Sequence, residues 1–133
     1  MTSSTTLSVD CGGGSIKASV LDAEGAIISR AVRTATPYPL PPATLVETIA
    51  SLAGRLPTAD RVTVGMPGMI RHGVVIATPH YITRDGLRSK VLPELVEAWA
   101  RFNMARAIGE RLGLPALVLN DAEVASLDRK SVV

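Results

Sequence analysis

Two short runs of apolar and β-branched residues, Thr6–Asp10 (TLSVD) and Ser15–Leu21 (SIKASVL), are separated by little more than three consecutive glycines, Gly12–Gly14. Glycine lacks the Cβ that forbids sharp reversals, so the two runs must fold back on each other as an antiparallel hairpin. A second turn signal, DAEG at Asp22–Gly25, leads into Ala26–Arg33 (AIISRAVR), which reads as a third strand. An antiparallel three-stranded ribbon therefore opens the chain, and the remaining elements must pack against it.

Beyond the ribbon the hydrophobic period changes. PYPLPP at Pro37–Pro42 is an extended connector whose last prolines suit the first turn of a helix. Leu45, Ile49, Leu52 and Leu56 then recur at gaps of three and four, which predicts a helix over roughly 43–55 with one face on a core. RVTVGM (Arg61–Met66) is a buried strand ending at Pro-Gly, and IRHGVVIAT is a tight turn into another strand. Leu92, Leu95, Trp99, Phe102, Ala105, Ile108 and Leu112 form an apolar stripe along one long helix, stopped by GLP at Gly113–Pro115. ALVL (Ala116–Leu119) is a last short strand, and NDAEVASL turns into a helix. The order is βββ, α, β, β-hairpin, α, β, α: an α/β fold on a mixed sheet, without internal repeats.

The 133 residues suit one domain, and the balance of 47% apolar to 20% charged residues is that of a globular chain. Aromatics at 3% and a net charge of +2 exclude a base-stacking or charge-driven nucleic-acid binder. No apolar run reaches the roughly 18 residues of a membrane span, and MTSSTT is not a signal sequence. Cys11 is the single cysteine, so no internal disulfide is possible and a reducing cytoplasm is the expected setting.

Three candidate sites fall at the carboxyl ends of strands, where open α/β sheets place their ligands. In Asp10–Lys17, glycine amides can approach phosphate oxygens, Ser15 adds a hydroxyl, Lys17 adds charge, and Asp10 can meet hydrated magnesium. A plain glycine hairpin explains the same stretch. GMPG (Gly65–Gly68) is either a turn or a rigid loop lining a polyol site. In LNDA (Leu119–Ala122), Asn120 can hydrogen-bond a hydroxyl while Asp121 accepts its proton, although Asn or Asp is also the preferred helix N-cap. His72 and His80, eight residues apart, read as solvent-facing loop residues rather than a metal pair. Trp99 and Phe102 read as core, and Arg84, Asp85, Arg88 and Lys90 as a solvated charged face.

In this order, VDCGGGSIKASVLDAEG, VTVGMPGMI and GLPALVLNDAEVA resemble the amino-terminal half of ROK-family sugar kinases, glucokinases and polyphosphate glucokinases in particular. The resemblance covers most of Leu7–Leu127. It implies an actin-like, ribonuclease H-like fold of which this chain is the first lobe. By motif, Asp10, Gly12, Gly13, Ser15 and Lys17 match the family's first phosphate loop, with Gly14 and Ser15 where the family usually carries threonine or another small residue. Gly68 falls in the sugar pocket, and Asn120 with Asp121 match the sugar-binding and catalytic-base pair.

The implied ligands are a hexose, ATP or polyphosphate as donor, and magnesium held by Asp10 through water. The family's second phosphate loop, and structural zinc ligands where present, would belong to a further half, so the chain alone is not expected to phosphorylate a sugar. A homodimer is implied for the full-length protein. The alternatives are a sugar-responsive ROK repressor, disfavoured because only about six residues precede the first strand, and an exopolyphosphatase-like relative, disfavoured by LNDA. The last six residues, Asp128–Val133 (DRKSVV), reverse-translate as GATCGGAAGAGCGTCGTG, which resembles a sequencing-library adapter. The lobe is accordingly expected to span 1–127, followed by a read-through tail.

Overall fold

The computed structural model describes residues 4–86 and 88–124. The proposed tail at 128–133 lies outside the described residues. The first three strands are β1 (Thr6–Cys11), β2 (Ser15–Leu21) and β3 (Val32–Ala35), followed by helix α1 (Pro42–Ala53). Then come β4 (Arg61–Met66), the hairpin β5 (Met69–Arg71) and β6 (Val74–Ala77), helices α2 (Pro93–Trp99) and α3 (Met104–Leu112), and β7 (Ala116–Asn120). The main sheet has the order β3-β2-β1-β4-β7. β1 pairs antiparallel with β2 and parallel with β4, and β4 pairs parallel with β7. This is the mixed sheet expected of the first lobe.

Strand register assigns the two faces. Leu7, Val9 and Cys11 sit opposite Val20, Ala18 and Ile16 on one side, and Leu7 and Val9 sit opposite Val62 and Val64 on the other. All eight are buried and form one apolar face. Helices α1 and α3 cover it. α1 begins as its prolines predict, with Pro41 at the N-cap and Pro42 inside the first turn, and it buries Leu45, Val46, Ile49 and Leu52. Each such side chain contributes about 1.5–3 kcal/mol by leaving water. The opposite face carries Ser8, Asp10, Lys17, Thr63 and Gly65, and Leu117 remains 48% exposed there. Asp10 and Lys17 can therefore stand on the sheet without entering the core.

Two elements differ from expectation. The third strand covers Val32–Ala35 rather than Ala26–Arg33. Ser29 intervenes: its Oγ accepts the Val20 amide at 2.8 Å, so a side chain replaces the backbone partner and the ladder resumes only at Ala18 opposite Val32. Ile27 and Ile28 are left exposed. The single long helix is two helices. Arg101 has φ 57°, Val75 donates its amide to the Phe102 carbonyl, and Asn103 caps α3 by accepting the Arg106 amide at 3.0 Å. An N-cap and a backbone bond to β6 thus interrupt a stripe that stays apolar throughout. Gly113 ends α3 in the left-handed conformation, as GLP predicts.

Candidate functional site

The three motifs meet along one edge because β1, β4 and β7 are adjacent and parallel. Asp10 is in register with Gly65, which is in register with Leu119, so the loops after all three strands leave the sheet at the same level. Neighbouring strands lie about 4.8 Å apart, which places the β1 and β7 loops roughly 10 Å from each other. A ligand of sugar and phosphate dimensions spans such a gap.

The glycine turn between β1 and β2 is held to the rest of the lobe through its carbonyls. The Gly12 carbonyl accepts from Thr36 Oγ1 at 3.1 Å and Tyr81 Oη at 2.8 Å; that of Gly13 accepts from Tyr38 Oη at 2.7 Å; that of Gly14 accepts from the Thr36 amide at 3.0 Å. The Gly12 amide closes the turn on the Ser15 carbonyl at 2.9 Å. Among the described residues, the amides of Gly13 and Gly14 donate to nothing. With its oxygens turned inward and two N–H groups free, the loop has the polarity of an anion cradle.

A column of aromatic rings stands beneath it. Tyr38 lies 6.3 Å from Tyr81, Tyr81 5.7 Å from Trp99, and Trp99 5.9 Å from Phe102, between ring centroids. These four are all the aromatic residues of the chain. Trp99 anchors the column by donating Nε1–H to the Leu40 carbonyl at 2.8 Å. Burial pushes the Tyr81 phenol well above its ordinary range, and Cys11, Tyr38, Asp10 and Asp121 push it the same way, so both carboxylates act on this end of the sheet. Tyr81 is accordingly a hydrogen-bond donor and not an acid.

Asp10 and Lys17 are cross-strand partners on the open face. Among the described residues neither joins an ion pair, which leaves a carboxylate and an ammonium beside the free amides. Ser15, half-buried at the start of β2, completes the predicted set. Among the described residues no three His, Cys, Asp or Glu side chains converge to hold a metal. Magnesium does not need such a cage, since it keeps several waters and binds through one or two carboxylates together with phosphates. The exposed Asp10 fits that mode.

The other two motifs are tied together. Asn120 Nδ2 donates to the Gly68 carbonyl, and Asn120 Oδ1 accepts the Ala122 amide at 2.8 Å, capping the helical turn that begins at Asp121. Asn120 is therefore an N-cap and also the strut of the GMPG loop, with one N–H and one lone pair to spare. Gly68 is required by shape: its φ is 108°, and a Cβ there would overlap the Ala77 carbonyl. Gly65 has a different reason, because Val124 and Asp121 pass directly over it. Asp121 is exposed, and no side-chain partner among the described residues occupies its carboxylate.

Thr36, Tyr38 and Tyr81, which fix the loop, carry no motif; the one signal, for the two tyrosines, is that so few aromatics invite a common role. His72 is exposed as expected, with φ 52°. His80 is not a solvent-facing loop residue: it is half-buried, with its ring against Gly13. Arg84, Asp85, Arg88 and Lys90 are exposed, as predicted. Among the described residues no helix is long and apolar enough to cross a membrane.

Known proteins share this fold. A family model described as the ROK family matches residues 6–132. The N-acetylmannosamine kinase of Escherichia coli O157:H7 is 30% identical over 124 residues, which are 92% of this chain but 38% of that protein. The inorganic polyphosphate/ATP-glucomannokinase from Arthrobacter sp. strain KM superposes with a TM-score of 0.73 at 27% identity, over 95% of this chain and 47% of that one. A ROK family glucokinase from Streptomyces griseus, solved with glucose and AMPPNP, gives 0.70 at 27% identity, over 92% of this chain and 35% of that one. The chain thus spans less than half the length of these relatives, and its fold is the first lobe of the actin-like architecture. With the family model matched across nearly its whole length and the three loops on adjacent strand ends, the chain belongs to the ROK family.

Proposed function

We propose that this chain is the first lobe of a sugar kinase that transfers a phosphoryl group from ATP or polyphosphate to the 6-hydroxyl of glucose or a related hexose. One observation carries the reading: a turn with free amides and a free Asp121 carboxylate leave the same sheet edge two strands apart. Asn120 and the GMPG loop with Gly68 would orient the sugar. Asp121 would accept the hydroxyl proton as oxygen attacks the terminal phosphorus, a contribution of about 10²–10⁴-fold for a placed base. The Gly13 and Gly14 amides, Ser15 and Lys17 would hold the donor phosphates as charge moves to the leaving oxygen. Magnesium, when bound beside Asp10, supplies neutralisation of phosphate charge. A reducing cytoplasm suits the buried free thiol of Cys11.

The test uses the complete protein carrying this lobe, assayed with glucose, mannose and N-acetylmannosamine against ATP and polyphosphate. Phosphorylation of one of these sugars is expected, with kcat falling at least about 100-fold in Asp121→Asn. Full activity in that variant, or no transfer with any pair, overturns the reading. The 133-residue chain alone should be inactive, since it holds one phosphate loop.

A further inference from the structure

We propose that His80 is a donor-phosphate contact, forming a side wall of the cradle whose floor is the Gly13 and Gly14 amides. The inference rests on the phosphate-loop reading above and adds a residue that no motif marks. The shape of the loop carries it. A Cβ on Gly13 would stand 2.8 Å from His80 Cδ2 and 3.4 Å from Nε2, so only glycine at this position admits the ring. The Gly13 φ does not lie in the left-handed region, which leaves the approach of His80 as the steric reason for that glycine. Gly14 differs, with nothing within 4 Å of its Cβ position.

The imidazole presents its Cδ2–Nε2 edge to the turn. The residue is secured by its backbone, whose carbonyl accepts from Thr83 Oγ1 at 2.8 Å, and by its neighbour Tyr81, bonded to the Gly12 carbonyl. Among the described residues neither ring nitrogen has a hydrogen-bond partner. A half-buried imidazole with both nitrogens uncommitted, set against Gly13 in a turn whose Gly13 and Gly14 amides are free, has the chemistry to donate Nε2–H to an anionic oxygen. The ligand class is the terminal phosphates of a phosphoanhydride chain, shared by ATP and inorganic polyphosphate.

The experiment titrates the isotope-labelled chain with tripolyphosphate and, in a second arm, with magnesium-ATP, following the Gly13 and Gly14 amide resonances and the His80 ring nitrogens. Both loop amides and Nε2 should shift together. His80→Ala should weaken binding about tenfold, the low end for a hydrogen bond to a charged group, while the ligand-free Gly14 amide stays in place and the Gly13 amide moves only by the lost ring current. His80→Asn, which keeps a donor, should recover part of the loss. A loss confined to one arm supports the contact and assigns its source. Loop shifts with unchanged affinity in His80→Ala overturn the inference and leave the phosphate loop standing; no shift of the loop amides in either arm overturns both.

Discussion

Replacing Gly68 by alanine tests the geometry of the site most sharply. The new Cβ would overlap the Ala77 carbonyl oxygen and stand 2.8 Å from Thr78 Cα and 3.0 Å from Ala77 C, all backbone atoms that no rotamer change can move. The φ of 108° adds left-handed strain of about 1–2 kcal/mol for any residue with a Cβ. Relief requires the turn after β4 to lift from β6. That motion sacrifices the bond from Thr78 Oγ1 to the Pro67 carbonyl, 3.1 Å long and buried, and the strut from Asn120 to the Gly68 carbonyl. Each is worth about 1 kcal/mol. The sum is about 3–4 kcal/mol, or roughly 10–15 °C in the melting midpoint of a chain this size. Gly14→Ala is the control, because its Cβ meets open space and its φ is ordinary; a gain of about 0.4–1 kcal/mol is expected. Urea and thermal unfolding followed by circular dichroism measure both. A Gly68→Ala chain within about 1 kcal/mol of the parent would refute the described turn.

Trp99→Phe should cost about 2–4 kcal/mol in urea unfolding, because it removes buried surface and leaves the buried Leu40 carbonyl without its donor. A cost below about 1 kcal/mol would show that the aromatic column is not anchored there. Cys11 is fully buried and burial pushes its thiol far up, so a water-soluble disulfide reagent should label it only at the rate of unfolding, and rapid native labelling would contradict its place on the buried face of β1. The hydrogen bond from Arg111, at 2.8 Å, holds the Glu47 carboxyl below its ordinary 4.5. Its stabilisation should be present above pH 4.5 and fade as pH falls through the lower folded value, so the stability gap between parent and Glu47→Gln should be seen at neutral pH and shrink on acidification below 4.5. A gap independent of pH would sever the link to that carboxyl.

Much of the fold is written locally. The β2 and β4 boundaries, the proline start of α1 and the glycine end of α3 follow from residue types whose backbone preferences act over a few positions. The errors arose where a side chain overruled periodicity: Ser29 took a ladder position, and Asn103 capped a new helix inside a continuous apolar stripe. Both are polar residues competing for backbone partners, a choice that hydrophobic spacing does not register.

The candidate site divides along the same line. Asp10, the glycines, Lys17, Gly68, Asn120 and Asp121 are readable because each loop is contiguous and its residue types state their chemistry. That the three loops share one edge was decided by the parallel pairing of β1, β4 and β7, which no single segment encodes. Thr36, Tyr38, Tyr81 and His80 surfaced only in three dimensions. Tyr81 lies 69 positions from the glycine carbonyl it holds, and contacts at that separation are set by how the sheet and helices pack. The amino-acid sequence by itself determined which groups can do the chemistry; tertiary packing decided which atoms of the turn face inward to be clamped and which face outward to meet a ligand.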